Sequence, residues 1–188
     1  MLIHAGDVTL KGRREEVVDF LKWFSIQPFE HRIFIAGNHD FYFEKASESQ
    51  INEIIPPGIT YLKDSGISIN GINIWGSPYT PKFYNWAFNR SRGAAIRKHW
   101  ELIPPATDLL ITHGPAYGFL DLVMNDQHAG CQDLLRTILT IKPKLHVFGH
   151  IHESSGNILR SGIQFVNASM VDDLYGVTNT PVVINWKY

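Results

Sequence analysis

The stretch MLIHAGD, residues 1–7, decides the fold class of this chain. Its apolar start runs almost at once into Gly6 and Asp7, the pattern of a short buried strand that delivers a carboxylate to its C-terminal edge. Strands of this kind are rarely the first element of a domain. The stretch therefore raises two questions, namely what Asp7 is for and what should lie in front of it.

Helices and strands alternate along the first two-thirds of the sequence. Helical spacing of apolar residues predicts a helix at Arg14–Ser25, and Asn70-Gly71 predicts a hairpin between two strands within residues 60–78. This order indicates one layered α/β domain, residues 1–188, with mixed sheets and helices outside. The other predicted helices lie in residues 46–56, 90–104 and 131–143, and the other strands in 31–40, 108–115, 145–152, 157–169 and 180–188.

The bulk composition narrows the class of protein. The chain has 188 residues, of which 44% are hydrophobic, so it can bury one sizeable core. Its net charge of −1 argues against long nucleic acid as a partner. Its one cysteine, Cys131, cannot form an internal disulfide, and the sequence shows neither a bilayer-spanning run nor a signal peptide. We therefore expect a cytoplasmic protein without a membrane partner.

Four predicted strands end in polar side chains beside a glycine. In open α/β sheets, ligands bind beyond the carboxyl ends of the strands, and glycine lets the backbone turn sharply there. We expect these four strand ends to surround one point: Gly6-Asp7, Gly37-Asn38-His39-Asp40, Thr112-His113-Gly114 and Gly149-His150-Ile151-His152.

The chemistry of these side chains favours a divalent metal ion. An aspartate, an asparagine oxygen and several imidazoles form a mixed oxygen and nitrogen shell, which suits manganese, iron or zinc better than calcium. If His150-Ile151-His152 is extended, its two imidazoles project to the same side and address one ion or two adjacent ions.

The motifs GD, GNHD, THG and GHIH, in this order at strand ends, resemble the signature of the calcineurin-like metallophosphoesterases. The longer stretches HAGD, GNHDFYFE, SPYTPKFYNWAF and PKLHVFGHIHE are similar to the small metallophosphoesterase-domain-containing proteins, which act as cyclic-nucleotide phosphodiesterases. The resemblance implies an αββα sandwich and a small phosphodiester substrate. It also implies divalent metal cofactors, with manganese the first choice and iron, zinc, nickel or magnesium as alternatives.

The resemblance also implies a role for each motif residue. Metal-bound hydroxide would attack phosphorus, and His39 would protonate the leaving group as general acid, with Asp40 orienting it. The implied metal ligands are Asp7, which bridges two ions, then Asn38, His113 and His150 for the second ion, and His152 for the first.

The family has one further motif, D-x-H, on a strand before the GD strand, and the sequence has only six residues in front of Asp7. One metal site would then be complete and the other would keep only Asp7 and His152. Either the protein begins upstream, which we favour, or a truncated product has lost a metal. We expect the 188-residue form to be a poor enzyme with an exposed sheet edge that weakens it or promotes association into dimers.

Other functions stay open at this point. A phosphomonoesterase, a nuclease of the same fold and a non-catalytic scaffold are the alternatives to a phosphodiesterase. We expect the aromatic loop Ser77–Ser91 to serve in packing or a dimer contact rather than in substrate stacking. We expect His4 to be a buried hydrogen-bonded group and His128 to be exposed to solvent. Cys131 is expected in the core or at a helix cap.

Overall fold

The computed structural model describes residues 1–186, which form an α/β structure with three sheets. Among these residues no helix combines the length and the apolar character needed to cross a bilayer. The helices are α1 (Arg14–Ser25), α2 (Phe41–Lys45), α3 (Glu48–Ile54), α4 (Ala94–Trp100) and α5 (Gln132–Ile141). The strands are β1 (Leu2–His4), β2 (Arg32–Ile35), β3 (Ile59–Leu62), β4 (Ser65–Ile69), β5 (Ile72–Ser77), β6 (Thr80–Pro81), β7 (Asn89–Arg90), β8 (Leu109–Thr112), β9 (Leu145–Phe148), β10 (Gly156–Arg160) and β11 (Ile163–Asn167).

Two sheets carry the fold. The first is parallel and has the order β1-β2-β3. The second is mixed and has the order β10-β11-β9-β8-β5-β4, with parallel pairing through β11, β9, β8 and β5. Strands β6 and β7 pair separately. Since β1, β2, β8 and β9 all belong to parallel ladders, the residues that follow them emerge at the carboxyl edges of the two sheets.

Successive side chains of a strand point to opposite faces of the sheet, and this explains how the two sheets pack face to face. Ile33 and Ile35 of β2 share one buried cluster with Ile111 of β8, so these side chains fill the space between the sheets. Phe34 points the opposite way and meets Phe24 of α1, with ring centroids 6.1 Å apart. Helices therefore cover outer faces of the sheets, and the layered α/β class predicted from the sequence is confirmed.

The predictions for local elements were confirmed where the sequence signal is strong. Helix α1 has the predicted bounds, because its buried residues Val17, Leu21 and Phe24 follow helical spacing. The hairpin turns at Asn70 and Gly71, with φ of 49° and 80° as a type I′ turn requires.

Three predictions about local structure were wrong. Residues 60–78 contain parts of three strands rather than two, because Asp64 adopts a φ of 45° and breaks the run, which leaves β3 in the other sheet. The tail has no strand over residues 180–186, and residues 187–188 lie outside the described part. The segment 150–152 is not extended, since His150 has a φ of 72° and a 3-10 turn covers His152–Ser154.

His146 of β9 is a buried histidine whose protonation state is fixed by its neighbours. Thr112 Oγ1 donates to Gly114 O at 2.7 Å, so it accepts from His146 Nε2 at 2.7 Å. His146 Nδ1 is buried without a partner, and the ring packs 4.7 Å from that of Phe148. Burial accordingly lowers the pKa of His146 to about 3.

The buried His146 predicts a loss of stability in mild acid. The unfolded chain binds a proton at His146 below about pH 6.5, whereas the folded chain does so only near pH 3, so the stabilisation is complete above pH 6.5 and lost as the pH falls. His146→Gln keeps the donor to Thr112. When the pH falls from 7 to 5, the free energy of unfolding of the original chain should decrease by about 2 kcal/mol more than that of His146→Gln. Urea unfolding at both pH values, without metal, measures this. The partly exposed His31→Gln is the control, and equal losses in all three proteins would contradict the prediction.

Candidate active site

Four side chains that follow parallel strands meet where the two sheets adjoin. Asp7 follows β1 and Asn38 follows β2, both from the first sheet, while His113 follows β8 and His150 follows β9 of the second sheet. Donor atoms of the aspartate and the two histidines lie within 4.8 Å of one another. These four residues are called the Asp7 cluster below.

His113 connects the members of the Asp7 cluster. Its Nε2 lies 2.8 Å from Asn38 Oδ1 and 3.2 Å from Asp7 Oδ2. Its Nδ1 lies 2.9 Å from Ala5 O, and because a carbonyl only accepts, Nδ1 carries the hydrogen. In a neutral ring the Nε2 lone pair therefore faces two oxygen acceptors.

The backbone at two glycines allows this close approach. A Cβ on Gly37 would lie 2.5 Å from Asp7 N and 2.5 Å from His113 Cε1. A Cβ on Gly6 would lie 2.5 Å from His113 Nδ1, and the φ of this glycine is 98°. A larger residue at either position would push the strand ends apart, which explains the glycines of the first two polar motifs.

Burial and charge set the protonation of the cluster. Burial alone would raise the pKa of Asp7, but His113 and His39 hold it below its usual range. Burial alone would lower the pKa of His113, but the Asp7 carboxylate raises it. Burial, reinforced by the neighbouring His113, lowers the pKa of His150 to about 3. His150 is consequently an unprotonated donor at neutral pH.

Asp40 joins the loops after β1 and β2. Its buried carboxylate accepts from Gly37 N at 2.7 Å, from Thr9 N at 2.9 Å, from Thr9 Oγ1 at 2.7 Å and from Val8 N at 3.1 Å. Burial, together with the charge of Asp7, raises the pKa of Asp40 to about 6. The expectation that Asp40 orients its neighbour His39 was wrong, because its bonds go to the two loops.

His39 is held by other partners. Its backbone N donates to Asp7 Oδ1 at 2.9 Å, and its Nδ1 donates to Leu10 O at 2.9 Å. Its ring lies against Trp86, with centroids 4.5 Å apart. Its Nε2 faces the hydroxyl of Tyr175 at 3.4 Å. No sequence pattern indicates the last contact, since Tyr175 is 136 residues away.

His152 lies outside the group of three whose donors converge within 4.8 Å. Its Nδ1 donates to Asp172 O at 2.9 Å, which leaves Nε2 as the atom that a metal could use. The 3-10 turn, rather than an extended segment, sets its direction. Its role as a ligand stays a prediction.

The aromatic loop divides into a buried part and a part that flanks the site. Tyr79 and Phe88 belong to the core, as expected of a packed loop. Phe83 lies against His150, with ring centroids 5.2 Å apart, and Trp86 lies against His39. The loop therefore forms one wall beside the Asp7 cluster.

The sequence also led to expectations for three residues outside the Asp7 cluster. The expectation for His4 was wrong in one respect, since its Nδ1 is buried without a hydrogen-bond partner. Burial lowers its pKa to about 4. His128 is 39% exposed and its Nδ1 lies 2.7 Å from the buried Asp121. Cys131 is both buried and the cap of α5, accepting from Leu134 N at 3.4 Å.

Relatives are similar to almost the whole chain. A human metallophosphoesterase domain-containing protein 1 is 40% identical over 98% of this chain and 64% of its own length. A UPF0046 protein of Caenorhabditis elegans is 34% identical over 97% of this chain and 67% of its own length. The chain thus spans somewhat less than two thirds of the human relative.

A solved structure and a family model agree with this similarity. The phosphopantetheinyl hydrolase from Mycobacterium tuberculosis has a TM-score of 0.57 and 15% identity, covering 93% of this chain and 80% of its own, which shows a shared fold. The model for calcineurin-like phosphoesterases matches residues 1–154, which include the whole Asp7 cluster. The resemblance found in the four motifs is confirmed, and the chain belongs to the calcineurin-like phosphoesterase family.

Proposed function

We propose that this chain hydrolyses small phosphodiesters, with cyclic nucleotides as the first candidates, in a metal-dependent reaction. One observation carries the proposal: four strand ends from two sheets bring Asp7, Asn38, His113 and His150 together, with His39 bonded to the same aspartate. The relatives support the phosphoesterase class.

The Asp7 cluster fits a divalent cation. The lone pair of His113 Nε2 faces Asp7 Oδ2 and Asn38 Oδ1, and three such acceptors repel one another unless a proton or a cation lies between them. The mixed oxygen and imidazole donors suit manganese, iron or zinc. These residues, with His150, would hold the ion, and His152 is a further candidate. When bound, such an ion activates water and neutralises the phosphoryl oxygens.

His39 is the proton donor in the proposed hydrolysis. One water adds to phosphorus and one P–O ester bond breaks, which leaves a phosphomonoester and a hydroxyl group. The proton on His39 Nε2 goes to the departing alkoxide, and the proton that the attacking water releases returns to His39 through solvent. The bond from Nδ1 to Leu10 O fixes Nε2 as the nitrogen that exchanges the proton. The backbone bond to Asp7 keeps His39 beside the metal donors without making it one of them.

The aromatic wall beside the Asp7 cluster favours a diester with flat groups. Phe83 beside His150 and Trp86 beside His39 offer aromatic surface next to the reacting groups. A diester carries two organic groups and a single negative charge, so an apolar aromatic wall suits it better than it suits a doubly charged monoester.

The metal donors predict a loss of metal in matched variants. Asp7→Ala and His150→Ala should each reduce manganese affinity at least tenfold. Each removes an atom that would bind the ion directly, and the loss of a residue that only orients such a ligand already costs about tenfold or more. Equilibrium dialysis measures the bound manganese, and circular dichroism checks the fold. His128→Ala, which lies outside the Asp7 cluster, should bind as the original chain does. Undiminished manganese in the two site variants would contradict the assignment.

The acid role of His39 predicts a loss that depends on the leaving group. His39→Ala should retain manganese but lose roughly 10²–10⁴-fold in turnover of a 3′,5′-cyclic nucleotide, whose leaving group is an alkoxide. The loss on bis(p-nitrophenyl) phosphate should be small, because nitrophenolate departs without protonation. Equal loss of metal and of turnover would refute the role.

The same assay tests the substrate class. With manganese, bis(p-nitrophenyl) phosphate should be hydrolysed faster than p-nitrophenyl phosphate. The reverse order would favour a phosphomonoesterase. If none of these substrates is hydrolysed although manganese binds normally, the result would favour a non-catalytic scaffold.

A further inference from the structure

Tyr175 stands at the mouth of the candidate site on a turn that is fixed to His152. Asp172 O accepts both from His152 Nδ1 at 2.9 Å and from Tyr175 N at 3.0 Å. Asp172 Oδ1 closes the turn by accepting from Leu174 N and Gly176 N at 3.0 Å and 2.8 Å. The turn therefore has a defined place, although the tyrosine side chain is half-exposed.

The tyrosine reaches two of the predicted site residues. Its ring meets His152 edge-on at 5.5 Å and His39 edge-on at 6.1 Å. Its hydroxyl lies 3.4 Å from His39 Nε2. Since His39 Nδ1 already donates to Leu10 O, a neutral His39 can only accept at Nε2, and the tyrosine hydroxyl is the donor. In the protonated His39 that acts as the acid, Nε2 carries the hydrogen and donates it, and the hydroxyl accepts.

We infer that Tyr175 is a positioning residue for His39, an inference that rests on the proposed function. Its hydroxyl bonds to the nitrogen from which the proton leaves, and together with Leu10 O and the face of Trp86 it fixes the imidazole at both nitrogens and on one face. During turnover the departing alkoxide takes the place of the hydroxyl at Nε2. The tyrosine thus sets the direction of proton transfer without entering the bond changes.

The backbone at Tyr175 agrees with a placed side chain. Its φ is 61°, a conformation that is uncommon for a bulky residue and persists where surrounding bonds impose it. A tyrosine that only covered apolar surface would have no need of its hydroxyl, whereas here the hydroxyl lies 3.4 Å from the reactive nitrogen. The test therefore removes the hydroxyl alone.

Tyr175→Phe separates this role from a structural one by the leaving group. Turnover of a 3′,5′-cyclic nucleotide should fall about tenfold, the scale of a modest misplacement of a catalytic group, while turnover of bis(p-nitrophenyl) phosphate should change less than about twofold. His39→Ala and the double variant should be equally slow, because the tyrosine acts only through the histidine. Equal losses on both substrates, no loss, or an additive double variant would each overturn the inference.

Tyr42→Phe is the matched control. Tyr42 also donates from its hydroxyl at 3.4 Å, to Gln50 O, away from the Asp7 cluster. This variant should behave as the original chain on both substrates.

A measurement without turnover keeps the inference testable if the proposed function fails. In metal-free protein at neutral pH, the ¹⁵N resonance of His39 Nε2, assigned by its absence in His39→Ala, should move in Tyr175→Phe and stay in Tyr42→Phe. An unmoved resonance overturns the contact between Tyr175 and His39 whatever the activity. A moved resonance in a protein that hydrolyses none of the substrates would refute the proposed function while leaving the contact established.

Discussion

The site depends on the buried carboxylate of Asp40, which joins two loops that come from neighbouring strands. Its four hydrogen bonds reach Gly37 after β2 and residues 8 and 9 after β1. Because a buried donor left without its acceptor costs about 1–3 kcal/mol, these amides tie the two loops together more firmly than surface contacts would. The loops in turn carry Asp7 and Asn38, so the spacing of the metal donors follows from a residue that is not itself a donor.

Charge explains why the donors can lie so close together. Asp7 and His113 compensate one another, which lowers the pKa of the first and raises that of the second. Either a proton on His113 or a metal ion can supply the positive charge that stabilises the adjacent acceptors. Binding of the proton and binding of the metal ion therefore compete. His150 does not take part in this exchange, since burial lowers its pKa to about 3 and leaves its lone pair free at neutral pH.

Sequence reasoning located the strand ends because they carry a local signal. An apolar run followed by glycine and a polar residue identifies a turn at the sheet edge, and parallel pairing then brings distant turns together. It failed where the structure depends on contacts remote in the chain. It also missed helix α2, which has only five residues, too few for a periodic pattern. The partners of Asp40 and the contact between Tyr175 and His39 depend on backbone amides and on a turn that no spacing reveals.

Three residues of the candidate site have a backbone conformation that is uncommon for a residue with a side chain. Asp7, His150 and Tyr175 all have a positive φ, of 56°, 72° and 61°, although none is a glycine. Such conformations cost of order 1–3 kcal/mol each and persist only where neighbours over-determine them. For Asp7 those neighbours are the His39 amide and His113. These side chains are therefore already oriented in the folded chain before any ligand arrives. A cation or a phosphodiester that enters the site then binds with a smaller loss of conformational entropy.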